Sequence, residues 1–274
     1  MLSKKLWKVR GIKNKKGEFI RLKIKLTQRL LALAAMVPTG SRVADIGTDH
    51  ALLPCFLIEE KKAALVIGTD LHQGPFERAR QTVWEKGLEA YIELRLGDGL
   101  TVIRPGEVDT VVIAGMGGTA MRKILAEAPE VVGRLQKLIL QPMTNPETLR
   151  FWLQEQGWVI DQEDLVYEDK QYYQIIGAVP LSPGNTVHCP FPCGKDVARF
   201  QELAPYYGPL LIQNRHPLLA GLLSRDLEGM QMTLEQLAKA TQKEARLRYK
   251  EYAQRTEKIM ELKQWLSVVN PSSI

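Results

Sequence analysis

A chain of 274 residues has room for one large domain, or for one domain and a smaller appendage. Its 45% apolar and 25% charged residues suit a globular protein in water; the lack of a long apolar run argues against a bilayer-spanning helix, and the lack of an apolar core near the N-terminus against a signal peptide. The net charge of +6 is concentrated at the start, where residues 1–25 hold ten Lys and Arg against Glu18 alone, so the rest of the chain is slightly acidic. Residues 1–24 therefore read as a basic arm, either a contact for phosphates or a solvated tail. Cys55, Cys189 and Cys193 make no disulfide framework, which makes a reducing cytoplasm the expected compartment.

Leu26 to Val37 has helical apolar spacing, carries Arg29 as its one charge, and stops at Pro38-Thr39-Gly40. Arg42 to Ile46 is a short apolar run through Asp45, followed by Gly47 and the helix-like Ala51 to Ile58. This predicts a buried strand, a tight turn and a helix, with ligands expected at the strand's carboxyl end. A dinucleotide site would want G-x-G-x-x-G, but the turn has Gly47 alone and places Asp49 where backbone amides would meet a pyrophosphate. A carboxylate there repels phosphate and attracts an ammonium or sulfonium, so the turn suits S-adenosylmethionine better than NAD. The plainer alternative is that Asp45 and Asp49 cap the next helix.

Ala64 to Asp70 is a second strand, and its closing acid stands where such folds hold ribose hydroxyls. A helix to about Lys86 and a strand from Tyr91 lead to Gly97-Asp98-Gly99, where Asp98 is placed to accept from an exocyclic amine such as adenine N6. Val108 to Ala114 then runs into Gly115-Met116-Gly117-Gly118, an open floor for a flat ligand, and a helix from Thr119 to about Ala126. Leu135 to Gln141 is a fifth strand; its loop, Gln141 to Asn145, precedes a helix begun by Pro146. Gly157 to Ile160 and Tyr172 to Ile176 read as a final hairpin joined by the acidic segment Glu163 to Lys170. Seven strands with helices between them predict one doubly wound α/β sheet.

The Pro/Gly-rich stretch 181–194 holds His188, Cys189 and Cys193. The spacing supports loop residues over metal ligands, and no metal is expected. From Lys195 onward, leucines from Leu218 to Leu237 and apolar residues from Leu247 to Leu266 predict a helical hairpin or short coiled coil. Arg246, Arg248, Lys250, Arg255, Lys258 and Lys263 on its second arm suit an RNA backbone, but Glu244, Glu251, Glu257 and Glu261 alternate with them, as on an ordinary solvated face.

Taken together, Leu26-Thr-Gln-Arg-Leu30, Ala44-Asp-Ile-Gly-Thr-Asp-His-Ala-Leu-Leu-Pro54, Gly97-Asp-Gly-Leu100, Ile113-Ala-Gly-Met-Gly-Gly118 and Leu138-Ile-Leu-Gln-Pro142 resemble the bacterial tRNA (adenine-22-N1)-methyltransferase family. The resemblance covers roughly residues 25–270 and leaves the first 24 outside. It implies a Rossmann-like class I methyltransferase domain over 25–180, a C-terminal helical coiled-coil domain over 195–270, S-adenosylmethionine as cofactor and tRNA as substrate. By matching motif, Arg29, Asp45, Gly47, Asp49, His50, Asp70, Asp98, Gly115, Met116 and Gly117 would line the cofactor. Methylation of adenine N1 uses an existing lone pair and needs no strong base, so catalysis reduces to alignment and electrostatics. Asp49, Gln141 and Asn145 are the candidates for holding the base by its edge, once it has left its stack. A monomer without membrane attachment is expected. The competing readings are a small-molecule methyltransferase and an RNA-binding module with a relict pocket.

Overall fold

The computed structural model describes residues 12–13, 19–20, 23–181, 198–239 and 242–268. The basic arm lies largely outside them, as do His188, Cys189 and Cys193. Strands β1 (Ile12–Lys13) and β2 (Phe19–Ile20) form a small antiparallel ladder that the composition of the arm does not suggest.

Helix α1 (Gln28–Met36) is capped by Thr27, whose hydroxyl accepts from the Leu30 amide at 3.4 Å. Then follow β3 (Ser41–Ile46), α2 (Leu52–Glu59), β4 (Ala63–Asp70), α3 (Gln73–Lys86), β5 (Ile92–Leu96) and β6 (Thr110–Met116). After these come α4 (Gly118–Ala126), α5 (Pro129–Val132), β7 (Lys137–Pro142), α6 (Pro146–Glu155), β8 (Trp158–Glu168) and β9 (Gln171–Pro180). The sheet has seven strands in the order β5-β4-β3-β6-β7-β9-β8. Strands β3 to β7 pair in parallel, and β9 runs antiparallel to β7. Helices cover both faces of the parallel part, which is why its strands are nearly continuous apolar runs: all six residues of β7 are buried, as are Val111, Val112 and Ile113 of β6. The order reverses at β3, paired to β4 on one side and β6 on the other. That switch point opens a crevice at the strands' carboxyl ends.

The last hairpin differs from expectation. Glu163 to Glu168 continue β8 instead of forming a loop, and the turn is Asp169-Lys170, with φ of 50° and 63°, the left-handed pair that suits a tight hairpin. The acids are accommodated by partners distant in sequence. The Glu163 carboxylate accepts from the Leu210 amide at 2.8 Å, and Asp164 lies 3.1 Å from Nε2 of His216, which holds its carboxyl below the usual range. Charge density alone therefore reads as loop where the chain is strand.

Among the described residues, those up to Gln162 together with 175–181 form one compact unit, and 163–174 together with 198–268 form a second. The second contains α7 (Ala204–Tyr207), α8 (Pro209–Gln213) and the long pair α9 (Leu219–Ala238) and α10 (Lys243–Ser267), as the leucine spacing predicts. Leu219, Leu222 and Leu223 of α9 and Ile259 and Leu262 of α10 are buried, whereas Met232 and Leu247 are exposed, so burial is confined to the part away from the connecting turn. Arg215 stacks on Trp265, its guanidinium carbon 3.9 Å from the ring centre. No described helix is long and apolar enough to cross a membrane.

Candidate functional site

The site grows from the end of β3. Asp45 is the penultimate residue of the strand, 6% exposed, and one of its oxygens accepts from the Thr48 hydroxyl at 2.7 Å. Burial pushes its carboxyl up to about 6; the Thr48 hydrogen bond opposes that rise and the Asp70 charge adds to it. Gly47, at φ +74°, turns the chain out of the sheet, with the Gly47 and Thr48 amides both donating to the Thr69 carbonyl at 2.9 Å. The left-handed backbone favours glycine here, and a Cβ on Gly47 would also displace Cε of Met116, the mobile end of the side chain packed against it.

Asp70 closes β4 and is also buried. Its two carboxylate oxygens accept from different backbone amides, His72 at 2.9 Å and Asp49 at 3.3 Å, leaving each oxygen with capacity for a further donor. Asp49, in left-handed backbone at φ 47°, is exposed; its carboxylate meets Arg78 of α3 at 2.8 Å and lies 3.7 Å from Nε2 of His50. Asp49 thus stands in the turn with its charge partly answered by an arginine that no local motif singles out.

At the end of β6 the pairing with β7 slips between Ala114 and Met116, and Gly115 takes φ +77°. Its amide turns to Oε1 of Gln141, at 3.2 Å, and the same oxygen accepts from Nη1 of Arg29 at 2.7 Å. Beyond the bulge, the loops after β6 and β7 are stitched backbone to backbone: Met143 donates to Met116 at 2.8 Å and Gly118 to Thr144 at 2.7 Å. A Cβ on Gly118 would strike the Asn145 carbonyl.

A cleft of about 390 Å³ opens between these ends, lined by Arg29, Asp45, Gly47, Thr48, Asp49, His50 and Gly115, with Leu30, Leu52 and Leu53 as apolar wall. Asp70, Met116, Gly117 and Asp98 are not in that lining. Asp70 borders it through the Asp49 amide, Met116 packs at Gly47, and Gly117 precedes α4 as its N-cap. Asp98 is exposed in the turn after β5, its carbonyl accepting from the Thr101 hydroxyl at 2.6 Å. One expectation changes. Gln141, a candidate for reading a base edge, is fully buried, and its amide is consumed by Arg29, Gly115 and the Pro142 carbonyl. Asn145 is exposed and left-handed, at φ 53°, with its amide 3.4 Å from the Thr119 hydroxyl. Thr48 joins the site without having been among the candidates, and a hydroxyl three residues beyond Asp45 is the signal that could have found it. Among the described residues no group of three His, Cys, Asp or Glu is arranged to hold a metal ion.

A methyltransferase-domain family matches residues 26–176. Over 251 residues the chain is 31% identical to the tRNA (adenine(22)-N(1))-methyltransferase of Bacillus subtilis, covering 87% of this chain and 97% of that protein. The chain belongs to this methyltransferase family. A crystal structure of the B. subtilis m1A22 tRNA methyltransferase is similar at 30% identity and a TM-score of 0.76, over 88% of this chain and 99% of that one. A Streptococcus pneumoniae structure described as a putative tRNA (m1A22) methyltransferase in complex with S-adenosyl-L-methionine is similar at 25% identity and a TM-score of 0.73, over 87% and 100%. The Rossmann-like methyltransferase fold expected from the sequence is therefore the family's fold.

The donor set fits S-adenosylmethionine. Two buried carboxylates at adjacent parallel strand ends suit a cationic nucleoside, and Gly47, at φ +74°, leaves the backbone of the turn bare where a ligand would meet it. Asp70 would hold the ribose hydroxyls, Asp45 the positive end of the amino-acid tail, Arg29 its carboxylate, and Asp98 the adenine amine.

Proposed function

We propose that this protein methylates N1 of adenine 22, in the D-loop region of tRNA, using S-adenosylmethionine, with residues 25–180 as the methyltransferase domain and 195–270 as an RNA-contacting helical domain. What carries the reading is that a likeness spanning 97% of an m1A22 methyltransferase coincides with buried Asp45 and Asp70 beside a glycine turn. S-adenosylmethionine, when bound, supplies the electrophilic methyl group. The chain's own work is placement and field: Asp45 puts negative charge where the donor is positive, Asp70 holds the ribose, and backbone hydrogen bonds tie the loops after β6 and β7 to each other beside the cleft. Adenine N1 carries its own lone pair and loses no proton on methylation, so the chemistry asks no general base of the residues that line the cleft. Asp49 and Asn145, both exposed, are the candidates that remain for the edge of the base.

For RNA, five successive residues of α10, Arg246, Leu247, Arg248, Tyr249 and Lys250, are exposed, a run with three cations and an aromatic ring. That composition suits a phosphate backbone with an unpaired base against the ring. We read the working protein as a cytoplasmic monomer. Incubation with labelled S-adenosylmethionine and unmodified bulk tRNA, followed by mapping of the product, is expected to give 1-methyladenosine at position 22. Methyl transfer to small molecules without RNA would support the small-molecule reading, and RNA binding without turnover the relict-pocket one.

A further inference from the structure

Gln141 carries more hydrogen bonds than a residue at the end of a buried strand needs. It is fully buried, and two of its contacts are with residues of the cleft wall. Oε1 accepts from Nη1 of Arg29 at 2.7 Å and from the Gly115 amide at 3.2 Å; Nε2 donates to the Pro142 carbonyl at 3.1 Å and lies 3.6 Å from Sδ of Met143. Two donors meeting one atom require an oxygen there, so the orientation of the amide is determined by its surroundings. Arg29 and Gly115 both line the cleft, and Nη1 of Arg29 passes 3.9 Å from where a Gly115 Cβ would stand. Arg29 comes from α1, before the first strand of the large sheet, and Gly115 from the bulge of β6. The side chain of Gln141 is what ties the two together across a separation of 112 residues between Arg29 and Gln141.

The cleft's lining includes the acids Asp45 and Asp49, with Arg29 and His50 as its basic side chains. A ligand whose tail bears both an ammonium and a carboxylate needs one cation held at a defined place among those acids. A neutral amide can hold a guanidinium without neutralising it; a carboxylate in the same place would form an ion pair and compete with the ligand. A glutamine meets that requirement, and an acid would not.

We propose that Gln141 is a positioning residue that sets Arg29 to receive the carboxylate of the donor's amino-acid tail. The inference rests on the methyltransferase reading above and concerns affinity for one part of the ligand, not the methyl transfer itself. Gln141 touches neither base nor donor; it acts through Arg29 and through the Gly115 bulge.

The test compares two probes that share the nucleoside and differ in the tail: S-adenosylhomocysteine, which has the carboxylate, and 5′-methylthioadenosine, which lacks it. Calorimetry on the full chain should show Q141M losing at least about tenfold in affinity for S-adenosylhomocysteine, with 5′-methylthioadenosine changed by less than about twofold. R29M should give the same selective loss, and the double variant no more than either alone. Should Q141M fail to fold, Q141E keeps an acceptor for both Arg29 and Gly115 while neutralising the guanidinium, and it should show the same selectivity. Equal loss of both probes would mean a merely structural role and would overturn the proposal, as would unchanged affinity for both. If the wild-type chain binds neither probe, the methyltransferase reading itself falls; if it binds both and the variants are not selective, only the role of Gln141 does.

Discussion

At the carboxyl edge of the sheet, Asp45 is held 6% exposed behind a glycine turn, while on α10 Arg246, Arg248 and Lys250 stand in solvent beside an exposed Leu247 and Tyr249. In the function proposed here, both regions would use charge to select a ligand, under opposite conditions. The buried carboxylate is costly to ionise and is therefore responsive to a single cation placed near it, whereas the exposed cations cost the fold little and act only in number, through the ions they displace from a polyanion. A third arrangement lies between them. Glu107 receives both terminal nitrogens of Arg95, at 2.7 and 2.6 Å, with side-chain exposures of 23% and 17%, so its ionised form is already satisfied by the protein.

The largest effect is expected from a change in the tight turn after β3. G47A meets both the left-handed backbone and Cε of Met116 and should lower affinity for S-adenosylhomocysteine by about two orders of magnitude, roughly 3 kcal/mol, in calorimetry. A loss below about threefold would show that Met116 swings aside and that the floor is not rigid.

D45N separates the stability of the buried acid from its use. The folded carboxyl titrates near 6 against an ordinary 3.8, so the folded state binds the extra proton between those values. The group's contribution to stability therefore falls as pH rises from about 4 to 6, by up to about 3 kcal/mol. D45N should raise the melting temperature at pH 7.5 and weaken donor binding by about tenfold. Wild-type affinity should decline as pH is lowered through 6, and the variant's should not. A pH-independent wild type would remove Asp45 from the set of donor-binding charges.

Glu107 has the opposite sign. Its carboxyl is held down to about 2, first by the Arg95 hydrogen bonds, so its stabilisation is complete above 4.5 and is lost as pH falls towards 2. E107Q should cost about 1 to 3 kcal/mol in denaturant unfolding at pH 7 and leave donor affinity unchanged. An effect on donor affinity would mean that the ion pair supports the cleft as well as the fold.

The smallest change in stability belongs to α10. Replacing Arg246, Arg248 and Lys250 together by Gln should alter unfolding by no more than about 0.5 kcal/mol, yet flatten the salt dependence of tRNA binding by roughly 0.7 for each phosphate that is no longer neutralised. An unchanged slope in a filter-binding series would return that run to the status of an ordinary solvated face.

Much of this site is readable in the sequence because its signals are local. An acid closing a strand, a glycine after it, and the recurrence of that closing acid at Asp45 and Asp70 need only the period of a strand and the chemistry of a turn to interpret. The apolar spacing of α9 and α10 is legible for the same reason. Residues whose roles depend on distant partners are not. Glu163 and Asp164 read as loop because their partners, Leu210 and His216, lie about fifty residues away. Arg78 answers Asp49 from another helix, and nothing at position 78 announces it. Gln141 looks, in sequence, like a residue waiting for a base, and its hydrogen-bonding capacity is instead filled by Arg29 and Gly115.

By itself, then, the sequence determined the order of the seven main strands and the long helices between them, the acidic character of the turn after β3 and the family to which the chain belongs, because these follow from periodicity, composition and adjacent residues. Only the tertiary structure decided which of several plausible acids are withdrawn from water, which are neutralised by an arginine, and which polar side chain holds the wall of the cleft. Burial and pairing are properties of neighbours in space, and in this fold those neighbours are brought together from strands and helices far apart along the chain.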